Sequence, residues 1–130
     1  MRIDALLFDM DGTTIQYPVP FGSSWGMLCS IYGLLEEHNR LLTYYLKRPD
    51  QYEIWFRNLT ELFKGKSLSY AKEHMLPPVY ADGIRETCQA LKKLGKRIGI
   101  ISGGLDFIVL LRKASSMCGN LITAMSQEHS

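Results

Sequence analysis

Cysteine is scarce in this chain: there are three, Cys29, Cys88 and Cys118, and no pair at CxxC spacing. An odd count without that spacing excludes a self-contained disulfide framework and gives no zinc signature. Cys29 and Cys88 fall on apolar helix faces and read as small buried hydrophobes. Long apolar runs are absent too. No stretch approaches the roughly 18–20 residues of a membrane span. Met1-Arg2-Ile3-Asp4 puts an acid where a signal peptide needs an apolar run. A cytoplasmic protein with no membrane partner is expected. Nor does charge of one sign prevail: 15 Lys+Arg stand against 13 Asp+Glu, a net charge of +2 over 130 residues. The densest basic stretch, Lys92, Lys93, Lys96 and Arg97, sits around a helix end, where cations favour the dipole. No nucleic-acid partner is expected. His38, His74 and His129 share no ligand spacing and read as surface residues. What remains is ordinary globular composition, long enough for one domain or one small domain with an insertion.

The apolar run over residues 3–8 ends at Asp9, and its length predicts a strand of the kind buried on both faces of a parallel sheet. Residues 14–22 read as loop. The period then changes. Trp25, Leu28, Tyr32 and Leu35 share one helical face, with Ser23 or Ser24 as N-cap. Leu41, Leu42, Tyr45 and Leu46 suggest a second helix, stopped before Pro49. Tyr52, Trp55, Leu59 and Leu62 mark a third, with Pro49 tolerated in its first turn. Ser67 caps a fourth, running through Ala71 and Met75 towards Pro77-Pro78. The aromatic stripe of this block reads as core packing. Beyond it, Asp82 caps a helix whose buried stripe is Ile84, Cys88, Leu91 and Leu94, with Gly95 at C′. Residues 98–101 form a second short strand. A helix from about 106 to 116 and a third strand over 120–125 follow. This alternation predicts an α/β fold with a Rossmann-like parallel sheet. The 15–78 segment is too long for a crossover and reads as an inserted helical cap. Residues 1–14 and 79–130 form the core.

Two segments carry chemistry. Phe8-Asp9-Met10-Asp11-Gly12-Thr13-Thr14 places two carboxylates, two positions apart, where the first strand ends. In an open α/β sheet, ligands bind at that edge. Two acids confined there can divide nucleophilic or metal-binding and proton-transfer roles. Ile100-Ile101-Ser102-Gly103-Gly104-Leu105 leaves the second strand with a hydroxyl and exposed backbone amides, the elements of a phosphate site. Both segments belong to the same sheet edge.

Asp9-Met10-Asp11-Gly12-Thr13 resembles the first motif of the haloacid dehalogenase (HAD) superfamily, and Ser102 its second. The helical insertion, Tyr80-Ala81-Asp82-Gly83-Ile84, Ile101-Ser102-Gly103-Gly104 and Ser23-Ser24-Trp25 are similar to the phosphoserine phosphatase-like branch. The resemblance covers residues 3–113. It implies Asp9 as nucleophile, forming an aspartyl-phosphate, and Asp11 as the acid and base serving leaving oxygen and water. It implies Mg2+ on the Asp9 carboxylate and the Asp11 carbonyl. Ser102 and the Gly103 amide would hold phosphate, and Thr13 would support the loop. A carboxylate nucleophile and charge stabilisation are what phosphoryl transfer needs.

The family pattern also implies a later lysine and an acidic pair, and the 130 residues end before either. Arg112 and Lys113 read as solvated helix charges, and Glu128 lies in the tail. At about 4 Å and an effective dielectric of about 20, each unit of like charge between phosphate and Asp9 costs about 4 kcal/mol. Losses of several orders of magnitude in rate follow from such a figure. The chain therefore looks truncated at its C-terminus. It is expected to be a weak phosphatase on a small phosphorylated metabolite, or, alternatively, a binding module or a phosphotransferase. Its first strand is expected at an exposed edge, open to self-association or a complementing segment. The 16–22 stretch has no acid to hold an amino group, which argues against strict phosphoserine specificity. Arg40, Arg48 and Arg57 read as solvated side chains of the cap.

Overall fold

The computed structural model describes residues 1–105 and 121–124. The described elements are β1 (Ala5–Asp9), β2 (Ile15–Gln16), α1 (Ser24–Ile31), α2 (Leu35–Tyr45), α3 (Tyr52–Glu61), α4 (Leu68–Met75), β3 (Val79–Tyr80), α5 (Ile84–Lys93), β4 (Arg97–Ile101) and β5 (Leu121–Ala124). Short 3-10 turns at Pro20–Gly22 and Pro49–Gln51 precede α1 and α3. The larger sheet has the order β1-β4-β5. All its pairs are parallel, with Ala5 opposite Arg97, Asp9 opposite Ile101, and Ile98 opposite Leu121. This is the α/β architecture with a parallel sheet that the alternation predicts. The helix expected over 106–116 lies outside the described residues.

Four helices separate β2 from β3, and those two strands pair antiparallel, Ile15 opposite Tyr80. The ribbon was invisible in the sequence, where residues 14–22 read as loop. Two residues per strand leave no alternation to detect. Buried Leu28, Ala71 and Met75 from α1 and α4 pack with Met10, Ile15, Ile100 and Leu105. The inserted helices thus share one core with the loop after β1 and the end of β4. A second cluster of Ile84, Cys88 and Ile98, with Phe8 and Leu91 against it, seats α5 on the sheet.

Several local expectations need correction. α1 stops at Ile31 rather than continuing to Leu35. Gly33, at φ +71°, turns the chain, and Leu35 opens α2 instead. The N-cap of α5 is Gly83, at φ +79°, with no side-chain cap, so Asp82 does not fill that role. His38 is 2% exposed, not a surface residue. β1 is not buried on both faces: its residues alternate between exposed and half-buried, and Leu7 is 62% exposed. Among the described residues β1 stands at the sheet edge, with β4 on one side. Ser67 does cap α4, accepting from the Tyr70 amide, and Gly95 does take the left-handed turn after α5. The aromatic stripe is core only in part: Trp25, Tyr32 and Phe63 pack against the buried cluster, whereas Tyr44, Tyr52 and Tyr70 are exposed. Trp25 meets Phe56 edge-on at 5.4 Å and Phe63 at 6.1 Å between ring centroids.

Candidate active site

β1 ends at Asp9, and the chain closes into a tight loop. The Met10 carbonyl accepts from the amides of Thr13 (3.2 Å), Thr14 (3.0 Å) and Ile15 (3.1 Å), while the Gly12 amide donates to the Ile15 carbonyl (2.8 Å). Gly12 sits at φ +75°, a conformation that costs an L side chain but not glycine. The buried Thr14 hydroxyl donates back to the Asp9 carbonyl at 3.2 Å. This winding leaves the Asp9 side chain exposed at the strand end, with its Oδ2 accepting from Thr13 Oγ1 at 3.0 Å.

Asp11 points to the opposite kind of environment. Its Oδ2 accepts from both the amide (2.9 Å) and the hydroxyl (2.7 Å) of Ser24. Its Oδ1 is buried without a hydrogen-bond partner. Burial holds the Asp11 carboxyl above its ordinary value. The Ser24 bonds and the nearby Tyr17 hydroxyl pull the other way, and the Asp9 charge adds to the rise. Tyr17 is close enough to interact with Asp11 but makes no well-formed hydrogen bond, and its own hydroxyl is pushed up by burial and by that carboxylate. With Oδ2 occupied by two donors, a proton on this carboxyl would sit on Oδ1.

The second loop follows β4. Ser102 is buried, and its Oγ accepts from the Gly104 amide at 2.9 Å, which leaves the hydroxyl hydrogen available to a ligand. The Gly103 carbonyl accepts from the Trp25 indole at 2.9 Å, and the Leu105 amide donates to Ser24 Oγ at 3.1 Å. Gly104 is the point of closest approach. A Cβ there would lie 2.7 Å from Ser24 Oγ, 2.8 Å from Asp11 Oδ2 and 2.9 Å from Met10 Cε. Asp9, Asp11, Thr13, Ser102 and Gly103 therefore come together at the C-terminal ends of two adjacent strands.

Whether Mg2+ suits these residues turns on the donor set. The exposed Asp9 carboxylate and the Asp11 carbonyl are hard oxygens, of the kind magnesium takes while keeping several waters. Among the described residues no three of His, Cys, Asp or Glu gather as a metal cluster. The described part of the chain thus offers a partial oxygen set, compatible with the ion.

No protein-family model matches the sequence, and no curated protein does. Solved structures do. A phospho-aspartyl intermediate analogue of phosphoserine phosphatase superposes with a TM-score of 0.74 at 20% identity, over 95% of this chain and 56% of that one. A substrate-bound phosphoserine phosphatase complex gives 0.74 at 19%, over 95% and 56%. A HAD family hydrolase from Salmonella enterica serovar Typhi gives 0.77 at 18%, over 93% and 40%. The chain has the HAD fold, in its phosphoserine phosphatase-like form. It spans about half the length of the phosphoserine phosphatases it matches.

On this HAD frame, the sequence marks the carboxylates and Ser102 but not what ties the two loops together. Ser24 stands in the sequence as a candidate helix cap and within the Ser23-Ser24-Trp25 resemblance; Ser23 is the residue that caps, accepting from the Gly26 amide. Trp25 was read as part of an apolar stripe, which its ring is. Its indole N–H serves the loop instead. Tyr17 has no pattern of its own in the sequence, and Gly104 stands there only as part of the Ser102-Gly103-Gly104 loop. Arg40 and Arg57 are exposed, and Arg48 folds onto Tyr44, donating to its carbonyl and lying 3.9 Å from its ring centre. Arg112 and Lys113 lie outside the described residues. Among the described residues no helix is long and apolar enough to cross a membrane.

Proposed function

We propose that this chain is a magnesium-dependent phosphomonoester hydrolase of the HAD type, working in the cytoplasm on a small phosphorylated metabolite. In this reading residues 1–14 and 79–130 are the catalytic core and 15–78 the cap above it. The observation that carries the proposal is the juxtaposition of an exposed Asp9 and a half-buried Asp11, with its carboxyl held above the usual range, beside the Ser102 loop. The contrast between the two acids supports a division of labour. An Asp9 oxygen attacks phosphorus, and the ester P–O bond breaks. Asp11 passes its proton to the departing oxygen, then takes a proton from the water that opens the aspartyl-phosphate. Thr13 holds the Asp9 carboxylate in place, and Ser102 with the Gly103 amide binds phosphate oxygens. The Asp9 carboxylate and the Asp11 carbonyl would hold Mg2+, which would supply charge neutralisation. Absence of an acid over residues 16–22 favours substrates other than phosphoserine.

A second reading, a phosphate-binding module without turnover, is favoured by the incomplete acidic set among the described residues. Hydrolysis of an aryl phosphate by the purified chain, with and without magnesium and beside Asp9→Asn, separates the two. Magnesium-dependent turnover lost in the variant supports the hydrolase. A folded chain that binds inorganic phosphate and turns nothing over supports the module.

A further inference from the structure

We propose that Ser24 is a positioning residue that seats the phosphate loop, residues 102–105, against Asp11. The inference rests on the phosphate-site reading above and goes beyond it. Ser24 is the first residue of α1 and fully buried, yet its hydroxyl does nothing for its own helix, because Ser23 caps it. The hydroxyl instead joins two segments far apart in sequence. It donates to Asp11 Oδ2 at 2.7 Å and accepts from the Leu105 amide at 3.1 Å. Its own amide adds a second bond to the same carboxylate oxygen at 2.9 Å.

The second loop needs such a support. β4 pairs with its neighbours only as far as Ile101, so residues 102–105 have no ladder bonds to fix them. Among the described residues they are held by the Ser24 hydroxyl at Leu105 and the Trp25 indole at Gly103, and Gly104 comes so close that a Cβ there would lie within 3 Å of Ser24, Asp11 and Met10 atoms. Two consecutive residues at the start of the inserted helices thus grip the loop at both ends. Phosphate donors serve only when held within a fraction of an ångström of productive geometry. The cap therefore helps to build the phosphate site rather than merely cover it.

The test uses the whole chain, 15N-labelled, with inorganic phosphate as probe. Affinity is read from the amide shifts of Gly103 and Gly104, order from hydrogen exchange of the Leu105 amide, and stability from the thermal midpoint. Ser24→Ala is expected to weaken phosphate binding by about tenfold, the scale of one charge-assisted hydrogen bond, and to speed exchange at Leu105. Trp25→Phe keeps a ring and removes only the indole donor; it is expected to weaken binding by a smaller factor. A merely structural residue would lower the thermal midpoint and leave the affinity of the folded chain alone. Unchanged phosphate affinity in both folded variants overturns the proposal. Wild-type chain that binds no phosphate overturns the phosphate-site reading, and the positioning role with it.

Discussion

The loop after β1 is held by its own residues, and the loop after β4 is held by others. Three amides converge on the Met10 carbonyl, and Thr14 reaches back to Asp9, all within seven residues of chain. Among the described residues, 102–105 hold themselves by one short bond, from the Gly104 amide to Ser102 Oγ, and are held by Ser24 and Trp25, about 80 residues earlier. The strands beneath them differ in the reverse sense. β4 is buried through its centre, whereas β1 alternates between exposed and half-buried. The proposed nucleophile, Asp9, stands on an open strand, and its own loop holds it. The second loop, with one bond of its own among the described residues, rests on a buried strand and on the first residues of α1.

Substitutions that break this contrast should differ widely in effect. Ile100→Ala, at a position 1% exposed beneath the second loop, should cost about 2–5 kcal/mol of stability, measured by denaturant titration. Gly104→Ala comes next. Its methyl meets Ser24 and Asp11 well inside van der Waals distance, so overpacking of about 1–3 kcal/mol is expected, with broadened resonances at Leu105 and intact ones in α5.

Asp11→Asn separates stability from chemistry. The native Asp11 carboxyl keeps a proton that the unfolded chain gives up near the ordinary value of 3.8. Wild-type stability therefore falls as pH rises from there through the raised native value. Asp11→Asn escapes that loss, so its thermal midpoint should exceed wild type above this window, and the advantage should vanish below pH 3.8. A gain at low pH instead would reverse the assignment. Leu7→Lys, on the exposed strand, should change stability by no more than about 0.5 kcal/mol. A penalty like that of Ile100→Ala would mean that β1 is not an open strand.

The same contrast governs what could be read from sequence. Asp9, Asp11 and Thr13 were legible because strand, turn and carboxylates are contiguous, and the contacts that shape them are local. Ser67 and Gly95 were legible for the same reason. The contacts of Ser24 and Trp25 with the second loop were not, because those partners lie far along the chain and no spacing rule links them. His38 looked like a surface residue because a lone histidine gives no sign of which helix face will be covered. The ribbon joining residues 15–16 to 79–80 was hidden between elements that read clearly. Ser102 stood between these cases: its loop has a recognisable start, but its supports are distant.

Asp9 is proposed to carry the phosphoryl group. Incubation of the chain with an aryl phosphate and magnesium, quenching with borohydride and peptide mapping by mass spectrometry tests it directly. An acyl phosphate at Asp9 is reduced to homoserine at that position, and the account predicts this product in the wild-type chain and none in Asp9→Asn. Turnover with an unmodified Asp9, or reduction at another carboxylate, would contradict it.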